Sequence, residues 1–373
     1  MLASHPVVQL IVTIGCLLLG AVTVWITLAS AVRTFVLPRS QNAFLTRAVF
    51  ANMQRVFNLY MKWRKIYTYE GRDRVLAYFA PVSLLILPVV WVIYIILGYM
   101  LIYRGLGVAT WEEALTISGS SFLTLGTTPF IALPITLVQF SQATLGLGMV
   151  ALLISYLPTM YGHFSRREAA VEMLVVRAGS PPSAIEMITR SHRIRNLEYL
   201  HEMWEKWEVW FTELEESHTS LAPLIWFRSP QPTNSWITAA GTILDAAAIF
   251  TSSVDMPRDP SAQLCIRAGF IALRRIADFF GFPYDPNPHF PDTAISITRE
   301  DFDAAFDELL ANGIPMREDR EQCWRDYAGW RVNYDDVLLF LANETQAPYA
   351  QWISDRGRPL AIPSARNKES TLG

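Results

Sequence analysis

The chain has 373 residues, of which 51% are hydrophobic and only 17% charged, and its formal net charge is -3. Soluble domains carry about 25% charged residues, so the composition indicates a membrane protein with a soluble part. The excess of basic residues lies beside the apolar segments, so no nucleic-acid-binding surface is implied. The three cysteines, Cys16, Cys265 and Cys323, are too few and too scattered for a disulfide framework or a cysteine-based zinc site.

The first apolar segment, Pro6 to Val32, contains no charged residue. At 1.5 Å per residue it is ~39 Å long, whereas the hydrocarbon core of a bilayer is ~30 Å thick. It therefore predicts a tilted transmembrane helix within residues 1–32. A cleaved signal peptide is the alternative, but no basic residue precedes the apolar run and the run is too long.

Residues 33–74 form a basic segment with an amphipathic centre. Apolar residues recur there at spacings of three and four, with basic residues elsewhere around the helix. These apolar positions are Leu45, Val49, Met53, Val56, Tyr60 and Trp63. The pattern predicts a helix that lies in the membrane interface and couples the cytosolic domain to the membrane part. A linker helix packed against its own domain fits the periodicity equally well.

Residues 75–164 have the order apolar helix, short helix, turn, apolar helix. The first apolar run, Leu76 to Tyr103, contains no charged residue. A short helix is predicted from Trp111 to Thr124, and the last apolar helix from about Gln142 to Phe164. This order is typical of two membrane-spanning helices with a re-entrant helix between them.

The short helix has a recognisable beginning. Thr110 is a predicted N-cap, and two glutamates follow in the first turn, where the helix dipole favours acids. Its C-terminal end would then point the negative end of the dipole towards a cation in the membrane centre. The alternative is one more membrane helix from Ile117 to Phe140, which Pro129 and Pro134 would interrupt.

The turn after the short helix consists of Thr124, Leu125, Gly126, Thr127 and Thr128, followed by a proline. Together with its flanking helices it resembles the pore module of the bacterial potassium channel family, over about a quarter of the chain. In that family the selectivity filter is a Thr-Val-Gly-Tyr-Gly loop whose carbonyl oxygens replace the hydration shell of the ion. The first three residues of the turn match this pattern, whereas two threonines replace the aromatic residue and the second glycine.

The resemblance implies that residues Thr124 to Thr128 form a selectivity filter and that four chains surround one pore. One loop per chain does not close a ring of carbonyls, so a homotetramer is required. The implied activity is passive diffusion of a monovalent cation such as potassium. No residue is predicted to be catalytic, and no cofactor or bound metal is expected. The two threonines leave ion selectivity and conduction itself open.

The last apolar helix carries the predicted gating residues. Gly146 and Gly148 permit either a close approach to the short helix or a bend, and they are the predicted gating hinge. Pro158 lacks the N–H that would close the helix and is expected to kink it. Together with Tyr156 and Tyr161 it forms the predicted inner constriction.

Lys and Arg residues predict the orientation in the membrane. Nine of them lie between the first two apolar helices, and only Arg104 lies between the second and third. The N-terminus is therefore predicted outside, and the long C-terminal region in the cytoplasm, of a multi-pass protein of the inner cell membrane. Three further basic residues agree with this orientation: Arg166, Arg167 and Arg177.

Residues 165–355 are predicted to form a helical cytosolic domain, followed by a disordered tail at 356–373. A seam of three-four alternation is expected to be core, at Leu197, Leu200, Trp204, Trp207, Phe211 and Leu214. Further helices are predicted at Ser235 to Ser252, Asp259 to Phe280, Thr298 to Ala311 and Arg317 to Asn343.

No catalytic constellation is evident in this domain, so the chain is not predicted to be an enzyme. Two Glu-x-x-His pairs, Glu198 with His201 and Glu215 with His218, have the spacing found in di-iron bundles. They share one predicted helix, so ordinary surface charge is the preferred interpretation. The expected role of the domain is regulation of the pore. The alternative is a non-conducting channel relative, a membrane sensor or scaffold whose helical domain binds an unidentified cytosolic protein.

Overall fold

The computed structural model describes residues 6–35, 44–126 and 132–356. All the regular elements of these residues are helices, which confirms the all-α prediction. The helices are, in chain order, α1 (Pro6–Phe35), α2 (Phe44–Trp63), α3 (Tyr69–Leu76), α4 (Phe79–Gly105), α5 (Trp111–Phe122), α6 (Leu133–Ala178), α7 (Ala184–Arg195), α8 (Leu200–Ser220), α9 (Trp236–Ser253), α10 (Pro260–Asp278), α11 (Arg299–Ala311), α12 (Arg320–Arg331) and α13 (Asp335–Glu344).

Three stretches of these helices are long and apolar enough to cross a membrane: Val7–Phe35, Tyr69–Gly105 and Leu133–Ala178. The predicted set of three membrane-spanning helices is thereby confirmed by length and composition. The chain divides into two compact units. The first contains residues 1–63, 76–165 and 217–227, and the second contains residues 64–75, 166–216 and 228–373.

In the first unit, α1 and α4 pack closely because glycines remove side chains where the two backbones meet. A Cβ atom on Gly20 would lie 2.6 Å from the carbonyl oxygen of Gly98, and one on Gly98 would lie 3.2 Å from that of Gly20. A Cβ atom on Gly105 would likewise lie 3.2 Å from the carbonyl oxygen of Thr13. Small residues are enriched at such contacts because lipid supplies no hydrophobic driving force between helices. Helix α1 is thus a tightly packed part of the unit.

We expect the substitution Gly98→Leu to push α1 away from α4, because its side chain would meet the Gly20 backbone and Val24. Overpacking of this kind costs about 1–3 kcal/mol, so the purified protein in detergent should unfold at a lower temperature. Gly15→Leu is the matched control, since no atom lies within 4 Å of its added Cβ. Equal unfolding temperatures for the two variants would show that α1 and α4 are not packed.

The last membrane helix, α6, is 46 residues long, so its predicted bounds, Gln142 to Phe164, were wrong at both ends. Pro134 lies in its first turn, where the missing N–H has no intrahelical partner to lose. The helix then continues through Pro158 and ends at Ala178, where Gly179 takes a φ of +81°. Hydropathy falls after Phe164, which ends the apolar run without ending the helix.

In the second unit, the predicted seam lies on α8 and the 3-10 turn before it, and it is core. All six of its residues are buried: Leu197, Leu200, Trp204, Trp207, Phe211 and Leu214. Helix α9 is buried along nearly its whole length, and α10 and α12 pack against it. Ser235, Asp259 and Thr298, at which three of the predicted helices begin, are N-caps, and each accepts a hydrogen bond from a backbone N–H of the first turn.

The predicted helix Arg317 to Asn343 was wrong, because the structure divides it into α12 and α13. The division places Arg331 and Asp335 around a buried polar centre. Arg331 donates to both carboxylate oxygens of Asp245, at 2.6 and 2.8 Å, and to Asp335 at 2.6 Å. Asp335 also accepts from the backbone N–H and hydroxyl of Ser296, both at 2.7 Å. These pairings compensate the desolvation of the three buried charges.

Two segments belong to a unit different from that of their neighbours in sequence. Asp73, on α3, lies in the second unit and accepts a hydrogen bond from Arg228 at 2.5 Å. Nearby, the hydroxyl of Tyr69 donates to the carbonyl of Pro232 at 3.2 Å. Conversely, residues 217–227 lie in the first unit, where Trp226 packs edge-on against Phe79 with 5.8 Å between ring centroids.

Candidate pore site

The candidate site is built around α5, the short helix between α4 and α6. Its N-terminus is closed by a capping box. The Thr110 hydroxyl accepts from the Glu113 N–H at 3.1 Å, and the Glu113 carboxylate accepts from the Thr110 N–H at 3.2 Å. The predicted cap is therefore confirmed. The helix has 12 residues, which is about 18 Å and too short for a hydrocarbon core of ~30 Å.

A buried polar network holds α5 between its two long neighbours. The Ser118 hydroxyl on α5 donates to the Ile96 carbonyl on α4 at 2.8 Å, and Gln142 on α6 donates to the same hydroxyl at 2.8 Å. The Tyr103 hydroxyl on α4 donates to the Gln142 side-chain oxygen at 3.0 Å. All three side chains are fully buried. Hydrogen bonds in such low-dielectric surroundings are strong, and breaking them leaves costly unpaired groups.

Sequence reasoning found only part of this network. Hydroxyls at membrane depth, such as those of Ser118, Ser120 and Ser121, are tolerable if they face protein or a hydrated cavity rather than lipid, and all three side chains are buried. Sequence reasoning missed Gln142 and Tyr103. The available signal was an amide side chain at the start of an apolar run, because a glutamine at membrane depth requires hydrogen-bond partners.

The C-terminal end of α5 turns sharply. The N–H of Leu125 donates to the Ser120 carbonyl at 2.9 Å, and that of Thr124 donates to the Ser121 carbonyl at 3.2 Å. This pair of bonds is the Schellman arrangement, which needs a left-handed residue after the helix. Thr124 supplies it with a φ of +58°. A β-branched residue pays about 1–3 kcal/mol for this conformation, so the surrounding contacts must hold it in place.

Gly126 follows with a φ of +70°, a conformation that glycine adopts without a Cβ penalty. Leu123 and Leu125 are 58% and 64% exposed on the single chain. The first three predicted filter residues therefore project from the protomer at the end of α5. The other two, Thr127 and Thr128, lie outside the described residues.

Gly146 sets the distance between α6 and α5. A Cβ on Gly146 would lie 2.6 Å from the carbonyl oxygen of Phe122, the last residue of α5. A Cβ on Gly148 has no atom within 4 Å. Of the two roles predicted for these glycines, close approach applies to Gly146. The hinge assignment stays a prediction for both.

The depth of this contact follows from helix geometry. Helix α6 begins at Leu133, and at 1.5 Å per residue Gly146 lies about 20 Å along it. The C-terminal end of α5 is therefore beside the first third of α6.

The structure does not place the three predicted constriction residues on one face of α6. Tyr156 is 5% exposed, and its ring packs against Phe35 with 4.4 Å between centroids. Pro158 and Tyr161 are exposed on another side of the helix. Of the three predicted residues, only Pro158 and Tyr161 are exposed on the single chain.

An apolar stripe runs along the exposed side of α6. Its residues recur at three or four positions, with one interval of seven: Leu133, Leu137, Phe140, Leu147, Val150, Ile154, Leu157 and Tyr161. This stripe and the end of α5 are apolar surfaces that the described residues leave exposed in a single chain.

The two Glu-x-x-His pairs do not form one site. His201 lies 3.0 Å from a carboxylate oxygen of Asp259, and this hydrogen bond and charge raise the pKa of its imidazole. Glu215 pairs with Arg275, and the imidazole of His218 lies 3.1 Å from the Ser217 hydroxyl. Within the described parts of the chain, no group of three or more His, Cys, Asp or Glu side chains is arranged to hold a metal ion.

Comparison of the chain with protein-family models, curated proteins and solved structures gave no match. The functional assignment therefore depends on the geometry described above.

Proposed function

We propose that four copies of this chain form a passive cation channel, in which the Thr124–Thr128 loop of each copy lines the selectivity filter. The observation that carries the proposal is the position of α5. It is a capped half-helix fixed between two membrane-spanning helices by the Ser118, Gln142 and Tyr103 hydrogen bonds, and its C-terminal end carries the loop.

Electrostatics supports cations as the permeant species. We place the outer edge of the ~30 Å hydrocarbon core near the start of α6, so the C-terminal end of α5, about 20 Å along α6, lies inside this core. The negative end of the helix dipole is at this point and favours positive charge. Four such ends around one axis would stabilise a cation where its hydration is poorest.

Two exposed features support a multi-chain pore. Leu123 and Leu125 project from the end of α5, and a single loop does not enclose an ion. The apolar stripe of α6 gives each chain a surface that neighbouring copies and lipid can cover. Potassium is the proposed ion. The two threonines in place of Tyr-Gly remove the residue that braces the upper filter sites, so we propose weak discrimination against sodium.

The proposed inner constriction consists of Pro158 and Tyr161. Tyr156 is left out of it because its side chain is buried against Phe35. The helical second unit is the proposed regulatory part.

The assembly can be tested by native mass spectrometry of the protein released from detergent. We expect the main species to contain four chains of 42.2 kDa. A monomer or dimer as the stable species would refute the tetrameric pore, because the filter would remain open.

We expect the N-terminus to lie outside the cell and the α2 segment inside. In a Cys16→Ser background, a cysteine replacing Leu137 should react with a membrane-impermeant thiol reagent in intact cells, because this exposed residue lies near the outer end of α6. A cysteine replacing the exposed Asn58 should react only after the cells are opened. The reverse labelling pattern would contradict the proposed orientation.

A further inference from the structure

Helix α2 has a first apolar face that packs against the membrane helices. Phe50 and Phe57 contact the ring of Phe79 edge-on, with centroid distances of 6.0 and 5.6 Å, and Met61 is buried. This face accounts for part of the amphipathic pattern. It fixes α2 to the first residue of α4.

The position of α2 relative to the membrane follows from its contacts at both ends. The Thr46 hydroxyl, in its first turn, shares a 2.7 Å hydrogen bond with Thr34, in the last turn of α1. Phe79 begins α4. Both partners lie at the ends of helices that are long and apolar enough to cross a membrane, whereas α2 itself is too polar to do so. Helix α2 is therefore held at the level of the bilayer surface.

The described residues of this unit leave a second apolar strip on α2 largely exposed. Val56, Leu59 and Trp63, at spacings of three and four, are 56%, 69% and 75% exposed. At about 100° per residue, Val56 and Trp63 lie within about 60° of Leu59 on one side, and Arg55 and Lys62 lie within about 60° of it on the other. Arg55 and Lys62 are also exposed. An apolar strip and a basic strip thus run side by side along the outer surface of the helix.

The charge around this surface has one sign. The first acidic residue of the chain is Glu70, and seven basic residues precede it: Arg33, Arg39, Arg47, Arg55, Lys62, Arg64 and Lys65. A basic strip beside an apolar strip matches a bilayer surface with anionic headgroups above acyl chains. A neighbouring copy of the same chain would bring the same positive charge.

We propose that the exposed side of α2 binds anionic lipid, with Arg55 and Lys62 at the headgroup phosphates and Leu59 and Trp63 at the upper acyl chains. The proposal does not depend on ion conduction.

The test uses the full-length protein, with Cys16→Ser, in nanodiscs of phosphatidylcholine with increasing fractions of phosphatidylglycerol. A fluorescent label is attached at Leu59→Cys or, as the matched control, at the neighbouring Asn58→Cys on the basic side. Cys265 and Cys323 are buried and should not react. Lipids with a spin label near the headgroup serve as the quencher.

We expect quenching at position 59 to exceed that at position 58 and to increase with the phosphatidylglycerol fraction. Adding Arg55→Gln and Lys62→Gln should remove most of this increase and leave the value in pure phosphatidylcholine unchanged. Equal quenching at both positions, or no dependence on phosphatidylglycerol, would overturn the proposal. A label at 59 that is shielded from both water and the lipid quencher would show that a protein surface covers α2, which would overturn it as well.

Discussion

Replacing Gly146 by leucine should lower the cation current of the reconstituted protein about tenfold. The added Cβ alone would lie 2.6 Å from the carbonyl oxygen of Phe122, and backbone cannot move aside as a flexible side chain can. Overpacking of a membrane core costs about 1–3 kcal/mol, and each 1.4 kcal/mol is a tenfold change in population. The end of α5, with the filter loop attached, would be displaced from α6. The measurement is macroscopic current in planar bilayers at equal protein density.

Gly148→Leu is the control for this experiment. It introduces the same side chain two residues away on the same helix. A Cβ added at Gly148 meets no atom of the neighbouring structure within 4 Å. The current of this variant should stay close to that of the unsubstituted protein. If both variants conduct normally, the contact between Gly146 and α5 does not position the filter. If both lose current equally, the glycines act through α6 itself, as a hinge would.

Introducing the potassium-channel pattern into the proposed filter loop should change selectivity strongly. Replacing Thr127 by Tyr and Thr128 by Gly supplies the bracing aromatic ring and the residue that lets the backbone turn its carbonyl inward. We expect the potassium-to-sodium permeability ratio, taken from reversal potentials, to increase about tenfold, equivalent to about 1.4 kcal/mol. A conducting double variant with unchanged selectivity would show that these residues do not form the filter.

The substitution Gly126→Val should, in contrast, abolish the cation current. Gly126 has a φ of +70°, which a β-branched residue adopts only with strain. Current should disappear while membrane insertion and chain stoichiometry persist. A Gly126→Val protein that conducts like the original would require the filter assignment to be withdrawn.

Elements governed by local chemistry could be predicted from the sequence. The cap of α5 follows from Thr110 and Glu113 three residues apart, since both partners lie within one turn. The seam on α8 followed from helical periodicity alone. The extension of α6 to Ala178 could not be predicted from hydropathy, because a helix can leave the membrane without ending.

Contacts between distant parts of the chain escaped prediction for a different reason. Tyr103 and Gln142 are 39 residues apart, and Arg228 and Asp73 are 155 residues apart. Pairings of this kind depend on how helices pack, which periodicity does not specify. The burial of Tyr156 could not be predicted either. The sequence shows that Tyr156 lies on α6, but it does not show which side of α6 contacts Phe35.

The central claim, that this chain forms a cation-conducting pore, is tested most directly by recording current from the purified protein in a planar bilayer. With potassium chloride on one side and sodium chloride on the other, the account predicts discrete channel openings, exclusion of chloride and a modest preference for potassium. A tetrameric, correctly oriented protein that passes no current under these conditions would contradict the account and favour a non-conducting membrane sensor. Current carried by chloride would contradict the proposed role of the α5 dipole.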